Sequence, residues 1–207
     1  MQNLALAGLH LDLEQVDLAL PYLATAEKLF HQSPQTMFSL IFETISARVE
    51  LASGNYNEAL ERLRRIEPEL GKAPSEHRLI YLCVLAQGQI LAQNYSGAAK
   101  TLADFPKKSW LYPKVLDLQT EILIRESPRD IEKIREELIE IQDYLKNQKF
   151  LSLEILKLNQ VLYNGWGILK DKNKVHFYRV EFEKIQKSLF SDNNLSIPET
   201  YSILAPR

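Results

Sequence analysis

The sequence predicts an all-α fold, an array of about five antiparallel helix hairpins, and three observations predict it. Apolar residues recur at spacings of three and four. Tyr56, Ala59, Leu60, Leu63 and Ile66 share one helical face, as do Val16, Ala19, Leu20 and Leu23, and again Tyr95, Ala98, Ala99 and Leu102. These segments superimpose at offsets of 40 and 39 residues, which marks a repeat rather than a set of independent helices. Seven glycines in 207 residues are few for the many tight turns of an all-β fold.

The first unit covers about residues 1–31, the second 34–71 and the third 75–106. Ala7, Ala47 and Ala86 are equivalent, and so are Leu11, Leu51 and Ile90. Each unit therefore has a first helix with a small residue in it, a short turn, and a second helix that opens on a bulky residue and then alanine. Helices cross closely only where side chains are small, so Ala47 and Ala59 are expected at the crossing, with Tyr56 and Leu63 filling the flanks. The first helix carries Leu4, Leu6, Leu9, Leu11 and Leu13, more than one face can bury. No polar cap precedes it, so a second copy or an upstream domain is expected to cover what remains.

After residue 106 the columns fade, and the remaining units follow from periodicity alone. The fourth, 109–147, pairs a helix from about 110 to 125 with one from about 129 to 147. Pro113 falls in the first turn of the former, a tolerated position, and Ser127-Pro128 makes the connection. The latter carries the stripe Ile131, Ile134, Leu138, Ile141 and Leu145. The fifth unit pairs 149–169 with 172–190 across Lys170-Asp171-Lys172-Asn173-Lys174, and points Val175, Tyr178, Phe182, Ile185 and Leu189 inward. In the tail, 191–207, Ser191-Asp192-Asn193-Asn194 breaks the helix. Ser196-Ile197-Pro198-Glu199 starts a short capping helix, whose Tyr201 and Leu204 are expected to fold back as a lid.

Hydrophobic residues at 45% and charged residues at 25% are the balance of a folded, water-soluble protein. A net charge of -2 gives no overall drive toward nucleic acid or anionic membrane. The charge is uneven: residues 1–70 hold ten acids and five bases, residues 146–187 nine bases and four acids. Cys83 is the single cysteine, which excludes an intrachain disulfide and fits a reducing cytosol. The opening Met1-Gln2-Asn3-Leu4 lacks the basic segment of a secretory signal, and the longest apolar run, Leu79 to Ala86, is too short to span a bilayer. A cytoplasmic location and no membrane partner are expected.

Motifs for chemistry are absent. His10, His31, His77 and His176 lie at no metal-ligand spacing from one another or from Cys83, which reads as a small core residue. Glu136, Glu137 and Glu140 fall between apolar positions beside Lys133 and Arg135, as a solvated face does. No phosphate loop, dinucleotide fingerprint or zinc-hydrolase helix occurs. No metal, cofactor or catalytic residue is expected. Asn164-Gly165-Trp166-Gly167 is the oddest stretch, because two glycines weaken a helix. A close helix crossing near the end of a first helix, with Trp166 packed on the next pair, is the favoured reading, and an exposed aromatic contact the alternative. Lys157, Lys170, Lys172, Lys174, Lys184 and Lys187 surround it, interrupted by Asp171, Glu181 and Glu183, and read as a solvated face before an anion-binding one.

The segment Leu51-Ala52-Ser53-Gly54-Asn55-Tyr56-Asn57-Glu58-Ala59-Leu60 resembles the turn and second helix of the tetratricopeptide family, with Gly54 as turn glycine, Tyr56 as aromatic and Ala59 as small residue. The third unit keeps Asn94, Tyr95 and Ala98 but has Gln93 for the glycine, and the first has Glu14 and Val16. The unit is longer than the family's usual one and is similar to longer-helix variants in bacterial signalling ATPases, regulator kinases and maltose-activator-type transcription activators. The resemblance implies one helical-repeat domain over 1–190, a right-handed α-solenoid whose first helices line a concave groove. By register the groove positions are Gly8, Asp12, Thr44, Arg48, Cys83, Gln87 and Lys114. The places where the family grips a C-terminal carboxylate hold Thr44, Arg48 and Ala52, which does not support that specificity. Arg48 is the single anchor the register offers, since a guanidinium forks onto carboxylates and stacks on aromatics. The expected function is a non-catalytic protein- or peptide-binding scaffold, a regulatory or sensory segment of a larger bacterial-type signalling protein. The rivals are a nucleic-acid binder using the basic 146–187 region and an all-helical enzyme whose site has no motif.

Overall fold

A computed structural model of the protein describes residues 2–32, 36–148 and 152–190, with side chains throughout except at 30–32 and 36–37. The expected capping helix and the lid residues Tyr201 and Leu204 lie outside the described residues, as does the His31 side chain. Among the described residues the fold is all-α, with ten α-helices and no strand. The helices are α1 (Gln2–Asp12), α2 (Val16–Gln32), α3 (Thr36–Ala52), α4 (Tyr56–Ile66), α5 (Ser75–Leu91), α6 (Tyr95–Leu102), α7 (Tyr112–Glu126), α8 (Ile131–Lys146), α9 (Leu153–Ile168) and α10 (Lys172–Phe190). None is long and apolar enough to cross a membrane. The chain divides into two compact units, Met1–Asp104 and Phe105–Arg207, at the point where the repeat columns stop in the sequence.

In the first unit each odd-numbered helix packs along the helix that follows it, and α3 also touches α1, α2 and α5. The small residues expected at the crossings are buried: Ala7, Ala47, Ala86, Ala19, Ala59 and Ala98 are all 0% exposed. One core joins Leu4, Ala7 and Leu11 of α1 to Ala19 and Ala26 of α2 and to Phe42, Ile45 and Val49 of α3. A second joins Leu40, Ala47 and Leu51 of α3, Ala59, Leu63 and Ile66 of α4, and Tyr81 and Val84 of α5. The Tyr81 hydroxyl donates to the Leu63 carbonyl at 3.2 Å, and burial pushes this phenol up to about 12. Replacing Ala59 by leucine overfills the crossing and should cost about 1–3 kcal/mol. Glu58→Leu, on the exposed side, should leave the melting temperature nearly unchanged; coincident melts would mean the crossing is elsewhere.

Four connections share one turn. Glu14, Gly54, Gln93 and Lys170 all adopt left-handed backbone, with φ of 59°, 82°, 61° and 58°. The following amide donates back to the carbonyl five residues earlier, Gln15 to His10, Asn55 to Glu50, Asn94 to Gln89 and Asp171 to Trp166, at 2.7–3.0 Å. These are the bonds of a left-handed helix C-cap, which satisfy carbonyls the helix itself leaves unpaired. The same residue then opens the next helix: Asn94 accepts from the Gly97 amide and Asp171 from the Lys174 amide. The turn glycine of the second hairpin is thus replaced in three others by residues that bear the left-handed strain, about 1–2 kcal/mol each. The α9–α10 hairpin joins this set, although its sequence shows no repeat columns.

The helix ends differ from the expectation in a few places. Within 34–71, α4 is followed by a 3₁₀ helix, Glu67–Lys72, with Pro68, which lacks the amide that an α-helix needs, in its first turn. Asp130 caps α8 by accepting from the Lys133 amide, so that helix begins at Ile131 rather than 129. Ile134, Leu138 and Ile141 are fully buried, but Ile131 in the first turn is 39% exposed. In α10 Ile185 is buried whereas Val175, Tyr178, Phe182 and Leu189 are only half-buried. In the second unit α9 packs on α7, α8 and α10.

On α1, Leu4 and Leu11 are buried, as is Leu13 in the turn after it, while Leu6 and Leu9 are exposed. Counted from the turn, Leu6 and Leu9 stand where α3 has Ser46 and Val49, both buried.

Candidate functional site

The groove positions divide by burial. Arg48 of α3 reaches across to α1, its Nη2 donating to Asp12 Oδ1 at 2.5 Å. A Cβ built on Gly8 would lie 3.8 Å from Arg48 Nη1, so the guanidinium runs along a helix face with no side chain to displace it. Gly8, Asp12 and Arg48 are therefore brought together, and Gln87 of α5 is half-buried. Register also carries Thr44 and Cys83 to the groove, but both are buried. The reason is that α3 and α5 are each packed by several helices; the Thr44 hydroxyl turns back to donate to the Leu40 carbonyl at 2.7 Å. Lys114 lies in the second unit, where its Nζ meets Asp117 at 3.1 Å.

The shared turn fixes a further pair of positions that the sequence reading missed, four residues before the left-handed residue and eight after it. In the first hairpin these are His10 and Tyr22, whose rings stack with centroids 5.4 Å apart. In the second they are Glu50 and Arg62: one carboxylate oxygen accepts from Nε at 2.8 Å and from Nη2 at 2.6 Å, while Nη1 binds Glu43. The hydrogen bond from Glu50, then that from Glu43, raises the Arg62 pKa against an opposing desolvation. In the third they are Gln89 and Thr101, hydrogen-bonded at 2.9 Å. The signal was present as alternating chemistry at a fixed register, but no residue type repeats there.

In the second unit Glu136, Glu137 and Glu140 of α8 separate. Glu136 is exposed, as a solvated face requires. Glu140 instead accepts from Lys107 Nζ and from the Tyr112 hydroxyl, each at 2.7 Å, which hold its carboxyl below the usual range. Burial pushes the Tyr112 phenol up to about 12, with the Glu140 bond adding to it. Glu137 is half-buried with an Oε1 that has no hydrogen-bond partner among the described residues, and burial, then the charge of Glu140, raises its pKa. The folded state thus holds the Glu137 proton more tightly than the unfolded chain, and stability falls as pH rises above the ordinary value of 4.5. Glu137→Gln should be more stable than the parent at pH 7, with the advantage gone below pH 4.5; urea melts at pH 7 and pH 4 would check it, and equal midpoints at pH 7 would contradict it.

Trp166 is 2% exposed and lies under Lys174, whose Nζ is 3.4 Å from the ring centroid. The exposed-aromatic alternative is thereby overturned: the ring is buried. Gly165 is buried against Leu138, in keeping with a close crossing, whereas Gly167 is exposed. Among the described residues no group of three His, Cys, Asp or Glu side chains converges as metal ligands would. Compared with known proteins, the chain matches no family model, no curated protein and no solved structure.

Proposed function

We propose that the chain is a non-catalytic scaffold that binds a protein or peptide, built as a right-handed solenoid of tetratricopeptide-like hairpins. The observation that carries this reading is the shared turn, with buried alanine seven residues before it in three hairpins. A hairpin of this kind cannot bury its apolar face alone, and stacking supplies a continuous core. The first helices then offer a groove whose charged centre is Arg48 beside Asp12. An acidic or aromatic side chain of the partner would compete for the guanidinium, which is held by a single partly exposed carboxylate. The exposed Leu6 and Leu9 add a second contact surface, for another copy or an upstream domain of the same build. The longer-unit likeness extends the reading to a regulatory or sensory segment of a larger bacterial-type signalling protein.

Arg48→Glu should abolish recovery of partners that the parent chain retains from its host, with a change of no more than a few degrees in melting temperature. Arg65→Glu, exposed on α4, is the control and should retain them. If the two variants recover the same partners, the Arg48 face is not where binding occurs.

A further inference from the structure

The turn end of the α9–α10 hairpin holds a shallow cavity of about 470 Å³, open to solvent over much of its extent. Its floor is Tyr163, Gly167 and Val175, and its rim is Lys170, Lys172, His176 and Arg179. The shared turn explains how it arises. Gly167 lies three residues before the left-handed Lys170, where the other hairpins have Leu11, Leu51 and Ile90 before Glu14, Gly54 and Gln93. Those three side chains are buried. Nothing lies within 4 Å of a Cβ built on Gly167, and its φ is not in the left-handed region. Neither backbone nor packing requires glycine here, and glycine weakens a helix. What it does is leave the floor open.

The same register shows that the apolar positions around the opening are changed as well. His176 and Arg179 stand where α4 has Leu60 and Leu63, both buried. Lys170 and Lys172 meet no carboxylate among the described residues. Arg179 gives its Nε to Glu183, at 2.9 Å, and its terminal nitrogens meet no carboxylate among the described residues. The intervening Asp171 carboxylate is turned to the Lys174 amide, at 3.1 Å. The fourth nearby cation, Lys174, is engaged over Trp166. Three uncompensated or partly compensated cations thus ring an apolar floor, in a volume suited to a small molecule.

We infer that this cavity binds a small organic anion, a carboxylate or phosphate carried on a flat apolar body. The charged group meets Lys170, Lys172 and Arg179, and the apolar body lies on Tyr163, Val175 and the bare backbone of Gly167. The full chain, isotope-labelled, is titrated by NMR with phenyl phosphate, benzoate, inorganic phosphate and a short oligothymidylate. One or both aromatic anions should shift the Gly167, Val175 and His176 amides saturably, the tighter of the two identifying the anionic group. Inorganic phosphate should bind at least tenfold more weakly. Gly167→Leu, which fills the floor without touching a charge, should weaken the aromatic anion at least tenfold with the melting temperature retained. Lys170→Gln with Lys172→Gln should do the same through charge. No saturable shift with either aromatic anion would overturn the inference. So would parent-like binding by Gly167→Leu, equal binding of inorganic phosphate, or tighter binding of the oligonucleotide, each of which marks a plain basic surface.

Discussion

Leu63→Ala is expected to lower the stability of the folded chain by about 2–5 kcal/mol, toward the upper end of that range. The side chain is fully buried, in a core drawn from α3, α4 and α5. Its neighbours have little freedom to collapse into the space. Ala47 and Ala59 are too short to reach further, and Tyr81 is tied by its hydroxyl to the carbonyl of Leu63 itself, a bond the substitution leaves intact. The cavity should therefore persist. Leu63→Met, nearly equal in volume, should cost less than about 1.5 kcal/mol. Urea denaturation of both would check this, and a loss below about 1 kcal/mol for alanine would show that the core is loosely filled.

Gly165→Leu is expected to cost about 3 kcal/mol, whereas Gly167→Ala, two residues on, should gain up to about 1 kcal/mol. A Cβ at Gly165 would lie 2.5 Å and 2.8 Å from the two methyl carbons of Leu138, and Leu138 is fully buried with no exposed side to turn to. A Cβ at Gly167 meets nothing, and alanine holds a helix better than glycine. The two glycines look alike in the sequence and do opposite things. Thermal melts in which both substitutions move the midpoint the same way would contradict this assignment.

Much of the fold was legible in the sequence because packing at a helix crossing selects residue type. Ala7, Ala47 and Ala86 stand out since nothing larger fits, and the three-four spacing of α4 marks its buried side directly. The turn was legible only at Gly54. Glu14, Gln93 and Lys170 take the same backbone without the residue that advertises it, so the α9–α10 hairpin could not be joined to the others by inspection. Pro68 was visible, but the 3₁₀ helix it enforces was not drawn from it. The candidate site was less legible still. The Arg48–Asp12 pair spans 36 residues, and Glu140 draws its partners Lys107 and Tyr112 from outside its own helix. Glu137 reads as one of three solvated acids because sequence spacing does not say how far a flank is covered.

The pair fixed by the turn has a consequence for how the first unit assembles. Three hairpins joined by the same turn invite exchange, in which a first helix closes on the second helix of a neighbour. Stacked rings, an ion pair and a neutral hydrogen bond do not substitute for one another. Arg62 set against His10 or Gln89 would leave a partly covered guanidinium without its Glu50 carboxylate, and Glu50 set against Tyr22 or Thr101 would lose its counter-charge. Each of the three hairpins thus bears its own mark of identity at the same place beside the turn. A chain that repeats its architecture avoids confusing its parts by refusing to repeat that contact.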